Sequence, residues 1–145
     1  MKRFLLLLMT LVCASCHPEK EYSGYWYIKN STSRGDIRIT PLDSETPIPV
    51  AVGDSVCISQ VKGPLGFMPD MLYVQMRELC EEGELAFSIV DARGDVLKCW
   101  RMRGLGSEPH HFFDPESWID YPVSEALEIY KRTWVYTLID EDLQK

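Results

Sequence analysis

The sequence predicts a mainly β domain: a single antiparallel β-sandwich, immunoglobulin-like or a partly open barrel, with at most one or two short helices. Three observations carry that prediction. Six or seven short runs are rich in aromatic and β-branched residues or alternate apolar with polar side chains at period two. Nine glycines and nine prolines punctuate the 145 residues between those runs rather than gathering in a linker. Helical spacing of apolar residues is confined to short stretches. The length suits one domain, and 46% hydrophobic with 26% charged residues is ordinary globular composition.

Tyr25-Trp26-Tyr27-Ile28, bounded by Gly24 and Asn30-Ser31-Thr32-Ser33, reads as the first strand. Ile37-Arg38-Ile39-Thr40 alternates and Pro41 ends it, so the two runs predict a hairpin across Ser31 to Gly35. Pro47 and Pro49 confine residues 46–50 to an edge strand at best, because proline cannot donate to a ladder. Gly53-Asp54 turns into a strand from Ser55 to Val61, with Val56 and Ile58 on its core face. Gly63-Pro64-Leu65-Gly66 reads as a loop. Asp70 can cap a helix, Leu72, Met76 and Leu79 recur at spacings of four and three, and Gly83 can stop it, so residues 70–82 predict one or two helical turns. Two runs, Leu85 to Val90 and Asp95 to Trp100, flank Asp91-Ala92-Arg93-Gly94 and read as a hairpin. Residues 103–122 read as a long loop and Glu125 to Lys131 as one helical turn. Trp134 to Ile139 is the terminal strand, expected inside a sheet because apolar side chains on both its faces need cover. Asp140-Glu141-Asp142 then ends the fold with solvating charge.

The first residues form a separate module. Lys2 and Arg3 precede an apolar run over residues 4–13, the pattern of a signal peptide and too short to span a bilayer. Cys13-Ala14-Ser15-Cys16 resembles the lipobox of bacterial lipoproteins. That resemblance implies a signal peptide over residues 1–15, a diacylglyceryl thioether and N-acylation on Cys16, a lipidated tether over 16–21 and a β-rich domain over 22–145. Acyl chains would hold the domain firmly to a membrane. Loss of residues 1–15 leaves 130 residues with 13 basic and 22 acidic side chains, a net charge of −9. An acidic surface repels nucleic acid, so no nucleic-acid partner is expected.

A second resemblance rests on the rest of the chain. Asn30-Ser31-Thr32 before an alternating strand, Gly53-Asp54-Ser55-Val56, the Asp-x-x-Gly hairpin ending in Trp100, and Trp134-Val135-Tyr136-Thr137-Leu138 with Glu141-Asp142 look like small uncharacterised lipoproteins of Bacteroidota-type bacteria. The resemblance covers most of residues 22–143. It implies an all-β fold and a lipid-anchored place in the bacterial cell envelope, at the outer membrane with the periplasmic or surface face left open. Glu19 and Glu21 resemble the acidic export signal that some surface lipoproteins of such bacteria carry after the lipidated cysteine. No activity comes with the resemblance.

No residue pattern points to catalysis, and the chain is expected not to be an enzyme. Cys57, Cys80 and Cys99 remain after processing, either as three reduced cysteines or as one disulfide with one thiol. A cysteine nucleophile needs a positioned base, and His110-His111 shows no such signature. Nor do these histidines have zinc spacing, so solvated loop histidines, no metal and no cofactor are expected. Glu81, Glu82 and Glu84, like Asp140, Glu141 and Asp142, sit at predicted element ends rather than across a cleft as a glycosidase pair would. The most suggestive group is aromatic: Phe112, Phe113, Trp118 and Tyr121, with His111, in the 103–122 loop. Exposed, such rings stack on sugars or anchor a protein partner; turned inward, Trp118 and Phe112 form a lid on the core. Asn30-Ser31-Thr32 matches a glycosylation sequon and reads instead as turn chemistry. The functional expectation is a non-catalytic binding or accessory module for an envelope protein or glycan, with the membrane as partner through its anchor. The alternatives are an assembly subunit that pairs a strand with a partner chain, or a small hydrolase.

Overall fold

The computed structural model describes residues 21–41, 45–64, 86–124 and 129–144. The expected signal peptide, Cys16 and most of the expected tether, the helix predicted over 70–82 with Cys80, Glu81 and Glu82, Glu84, and residues 125–128 lie outside the described residues. Eight strands are described: β1 (Glu21–Asn30), β2 (Ile37–Ile39), β3 (Ile48–Val50), β4 (Ser55–Pro64), β5 (Ala86–Asp91), β6 (Val96–Arg101), β7 (Trp118–Ser124) and β8 (Ile129–Leu138). They form two four-stranded sheets, in the orders β4-β1-β8-β7 and β3-β2-β5-β6. The described helix is limited to short 3-10 turns at Met102–Gly104, Pro115–Ser117 and Asp140–Leu143.

The predicted all-antiparallel pairing needs one correction. β1 and β8 run parallel in unbroken register, from Glu21 beside Ile129 to Asn30 beside Leu138. The first and last strands alternate in phase, so Trp26 and Ile28 point the same way as Trp134, Tyr136 and Leu138. The expectation that the terminal strand sits inside a sheet holds, with β1 on one side and β7 on the other.

The hairpin predicted across Ser31 to Gly35 does not form. β1 pairs with β4 and β8, whereas β2 pairs with β3 and β5 in the other sheet. The turn chemistry there is real but serves a crossing between sheets. Asn30 is buried; its amide nitrogen donates to the Gly35 and Val50 carbonyls, both at 3.0 Å, and its Oδ1 accepts from the Thr32 backbone N–H and hydroxyl. All four hydrogen-bonding positions of that side chain are filled. Ser31 N–H donates to the Leu138 carbonyl, tying the crossing to the end of β8.

The β5–β6 hairpin forms as predicted. Asp91 Oδ1 accepts from the N–H groups of Arg93 and Asp95, and Gly94 takes φ 95°, a backbone that glycine adopts without strain. β3 is an edge strand, as its prolines require. β4 continues past the predicted Val61 to Pro64 and carries a bulge, since Trp26 and Tyr27 face Ser59 and Cys57 and leave Ile58 over. Two further expectations are corrected. The 103–122 stretch is not loop throughout, because Trp118 to Tyr121 alternate and pair with β8 as the start of β7. Ile129 to Lys131 belong to β8 rather than to a helical turn, since they continue the β1 ladder.

Buried side chains from both sheets form one apolar cluster. Trp26, Ile28, Ile58, Tyr136 and Leu138 enter it from the first sheet, and Ile37, Ile39, Val50, Phe87, Ile89 and Trp100 from the second. Phe112, Phe113 and Leu143 join from the connections. Trp26 and Trp134 are neighbours in the parallel register and stack with centroids 4.8 Å apart, 10° from coplanar. They lie over Gly24, where an added Cβ would stand 3.0 Å from the Trp26 ring.

Candidate binding face

Three of the five predicted contact residues turn inward. His111, Phe112 and Phe113 are 1–3% exposed. Phe112 stacks on Phe87 at 4.0 Å, meets Phe113 and Trp118 edge-on, and lies 5.7 Å from Tyr136. Trp118 is partly buried, and its Nε1 donates to the Phe112 carbonyl at 2.8 Å. In this arrangement these rings close one side of the core and offer a ligand little or no face. Tyr121 is 50% exposed and stands apart from them on β7.

The expectation of solvated loop histidines is corrected: His111 is buried, and His110 is part-buried with a bonded ring. His111 Nδ1 accepts from the Phe113 N–H at 3.2 Å, and the Arg101 backbone carbonyl bonds the ring as well. Burial holds the His111 imidazole below its ordinary value of 6.5, so the neutral ring bridges two backbone segments. His110 Nδ1 lies 2.8 Å from Asp142 Oδ1, and its ring stacks on Tyr136 at 4.5 Å. Asp142 is buried, and its Oδ2 accepts from the Ile139 N–H. Asp140 accepts from the Ser33 N–H at 2.8 Å, which lowers its carboxyl below the usual value. Two of the three carboxylates read as solvating charge therefore fasten the C-terminal turn. Burial, then the Asp142 and Glu108 charges, push the Tyr136 phenol far up and keep it neutral.

No group of three or more His, Cys, Asp or Glu among the described residues is placed to hold a metal ion. Cys57 and Cys99 stand on different sheets and are not bonded to each other.

The first sheet has a second face, directed away from Trp26 and Tyr136. Register across its four strands assembles two rows there. Gln60, Tyr25, Thr133 and Tyr121 form one row, and Cys57, Tyr27, Val135 and Ile119 form the next. Tyr121 and Ile119, at 50% and 53% exposure, close the rows at the β7 edge, while Tyr25 and Tyr27 are half-buried between β4 and β8. Gln60 Nε2 reaches the Tyr25 hydroxyl at 3.3 Å, and Lys131 Nζ sits 4.7 Å over the Tyr25 ring. Burial, followed by the neighbouring Cys57 and Tyr25, raises the Tyr27 phenol above its ordinary value, so its hydroxyl stays protonated at neutral pH. The face thus combines aromatic surface with neutral donors and acceptors, which suits it to hold a polar ligand.

Sequence reasoning found Tyr121 but missed the rest of this face. The signal was present as Tyr-x-Tyr in β1, facing Thr-x-Val in β8. It was hidden because the strand order that brings these pairs together joins residues more than a hundred positions apart. No protein-family model, no curated protein and no solved structure matches the chain.

Proposed function

We propose that this chain is a lipid-anchored protein of the bacterial cell envelope whose domain is a non-catalytic binding module for a glycan. Its acyl chains are carried on Cys16, residues 17–21 tether it to the outer membrane, and the outer face of the β4-β1-β8-β7 sheet holds the ligand. The observation that carries the binding reading is the row in which Tyr25 and Tyr121 flank Thr133 in register. The two tyrosines are two strands apart, about 9.6 Å, the spacing of alternate rings in an extended sugar chain. Gln60 and Thr133 in the same row can take up ring hydroxyls. The anchor rests on the lipobox-like Cys13-Ala14-Ser15-Cys16. Within this reading the two sheets are the layers of one sandwich, supported by Trp100 of one meeting Tyr136 of the other at 5.6 Å.

Affinity electrophoresis through gels containing extended polysaccharides tests the face, with the full chain carrying Cys16→Ser so that no acyl group is attached. Retardation by a polysaccharide that disappears in Tyr25→Ala and Tyr121→Ala, with circular dichroism unchanged, is the expected result. Alanine variants that bind as the parent does, or a partner that proves to be a protein alone, would overturn it. In the same host, the unsubstituted chain should take up a labelled fatty acid that the Cys16→Ser chain does not.

A further inference from the structure

The chain between β6 and the aromatic turn is a strap held by polar ties. From Arg101 to His110 no residue is buried, and within that stretch Met102 alone packs against the core. The backbone turns at Met102–Gly104 and again at Gly106, whose φ is 83°. A stretch with so few buried apolar contacts opens at a lower free energy than the sheets beside it.

Three ties hold the strap down. Lys98 Nζ of β6 donates to Glu108 Oε2 at 2.6 Å, and the ammonium lies 5.7 Å over the Trp100 ring. His110 donates its Nδ1–H to Asp142 at 2.8 Å and stacks on Tyr136. The third tie is the His111 ring. Its Nδ1 accepts from the Phe113 N–H and its other nitrogen donates to the Arg101 carbonyl, so one imidazole joins the two ends of the strap like the neck of an Ω-loop. Trp100, under the ion pair, is covered at a cost, because its Nε1 is buried with no hydrogen-bond partner among the described residues.

The two histidine ties respond differently to a proton. His110 donates from Nδ1 to Asp142 whether its ring is neutral or charged. His111 cannot keep both of its bonds: a second ring proton turns Nδ1 from acceptor to donor, facing the Phe113 N–H. The new charge would be buried, drawn by Glu108 and Asp114 of its own connection and repelled by Lys98 of β6. Burial outweighs that attraction and holds the closed ring below its ordinary value of 6.5. In an open strap the ring stands in water and takes up its proton at the ordinary value.

We propose that the strap over residues 102–111 is a pH-operated latch, closed by neutral His111 and opened locally when His111 is protonated. Opening loosens Glu108 from Lys98 and uncovers Trp100, while His110 stays on Asp142 and both sheets stay folded. The open form binds a proton that the closed form refuses. Opening is therefore favoured as pH falls below 6.5, by up to about tenfold per pH unit until the closed ring itself titrates.

Amide exchange in the full chain carrying Cys16→Ser tests the latch, with rates corrected for the intrinsic effect of pH and followed in low, non-denaturing urea. Amides of residues 103–111 should lose about threefold or more of their protection between pH 7.5 and 5. Their exchange should be flat in urea, because a local opening exposes little surface, whereas β5 amides should exchange more slowly and respond to urea. His111→Gln should abolish the pH response of the strap, and His110→Gln should retain it. Strap amides that follow urea in parallel with β5 would reduce the event to global unfolding and overturn the latch. Strap protection independent of pH, or a pH response lost in His110→Gln, would overturn it as well. Should His111→Gln fail to fold, the urea dependence of the parent and the His110→Gln response decide between the same outcomes.

Discussion

His111 gives the fold a pH dependence at a single residue. Its ring is buried and neutral, and burial holds it below the ordinary imidazole value of 6.5, outweighing the nearby Glu108 and Asp114 charges that pull the other way. Lys98, which pairs with Glu108 at 2.6 Å, adds to the lowering. The unfolded chain takes up a proton at this residue before the folded one does. The stability associated with the neutral ring is therefore complete above pH 6.5 and is lost as pH falls through the lower folded value. The lowered carboxyls of Asp91, Asp120 and Asp140 act in a separate window, below their ordinary value of 3.8. Urea unfolding at pH 7.5, 6 and 5 should show the parent losing stability on acidification, and His111→Gln, though weaker throughout, losing less. Parallel losses in the two proteins would assign the acid sensitivity elsewhere. Asn30 was legible in the sequence because turn chemistry is local: two of its hydrogen bonds reach Thr32, two residues on. His110 was not, because its partner Asp142 is 32 residues downstream and only the fold brings it near.

At the scale of the element, alternation and turn residues predicted strands well and their partners poorly. The β5–β6 hairpin was legible because Asp91 and Gly94 set the turn and the strands that pair are adjacent in sequence. β1 and β2 carry a similar local signal, yet they part into different sheets, since Trp26 and Ile28 find their neighbours in β8. β7 was hidden by the proline and loop-like composition around it. The edges of the sheets bear on function. β3 is three residues long with Pro49 at its centre, β4 is bulged at Ile58, β6 is out of register at Leu97, and β7 is irregular between Tyr121 and Ser124. Each of these devices blunts an edge against pairing with a new strand. Inside the sheet, the stack of Trp26 on Trp134 depends on Gly24. An alanine there places its Cβ 3.0 Å from one indole and 3.2 Å from the other, so the pair must move. Gly24→Ala should cost about 1–3 kcal/mol in urea unfolding and reduce the near-ultraviolet dichroism of the stacked indoles. An unchanged midpoint would mean that the stack is looser than its geometry.

The whole molecule is closed by its last strand. β8 lies between β1 and β7, so the first sheet joins strands from the two ends of the described chain. Tyr136 and Leu138 of β8 are fully buried, and Tyr136 touches Trp100 and Phe112, so the core of the second sheet also depends on β8. The turn after it adds Leu143 to the core, and Asp140 and Asp142 fasten it to Ser33 and His110. Pairing of such distant segments bears the full entropy of closing the chain before any contact forms, which makes folding slow and leaves no early stable half. Ending the chain after Ser117 removes β7 and β8, strips one side of the β1 ladder and uncovers Trp26, Phe112 and Trp100 together. That truncated chain should show no cooperative urea transition and should bind a hydrophobic dye. Ending it after Leu138 removes only the last turn and should leave a cooperative transition at a lower midpoint, because the two sheets keep their strands. Refolding of the complete chain should then occur on the millisecond to second scale typical of all-β topologies. A cooperative transition from the chain ending at Ser117 would show that the second sheet folds alone and that β8 joins a finished core rather than completing it.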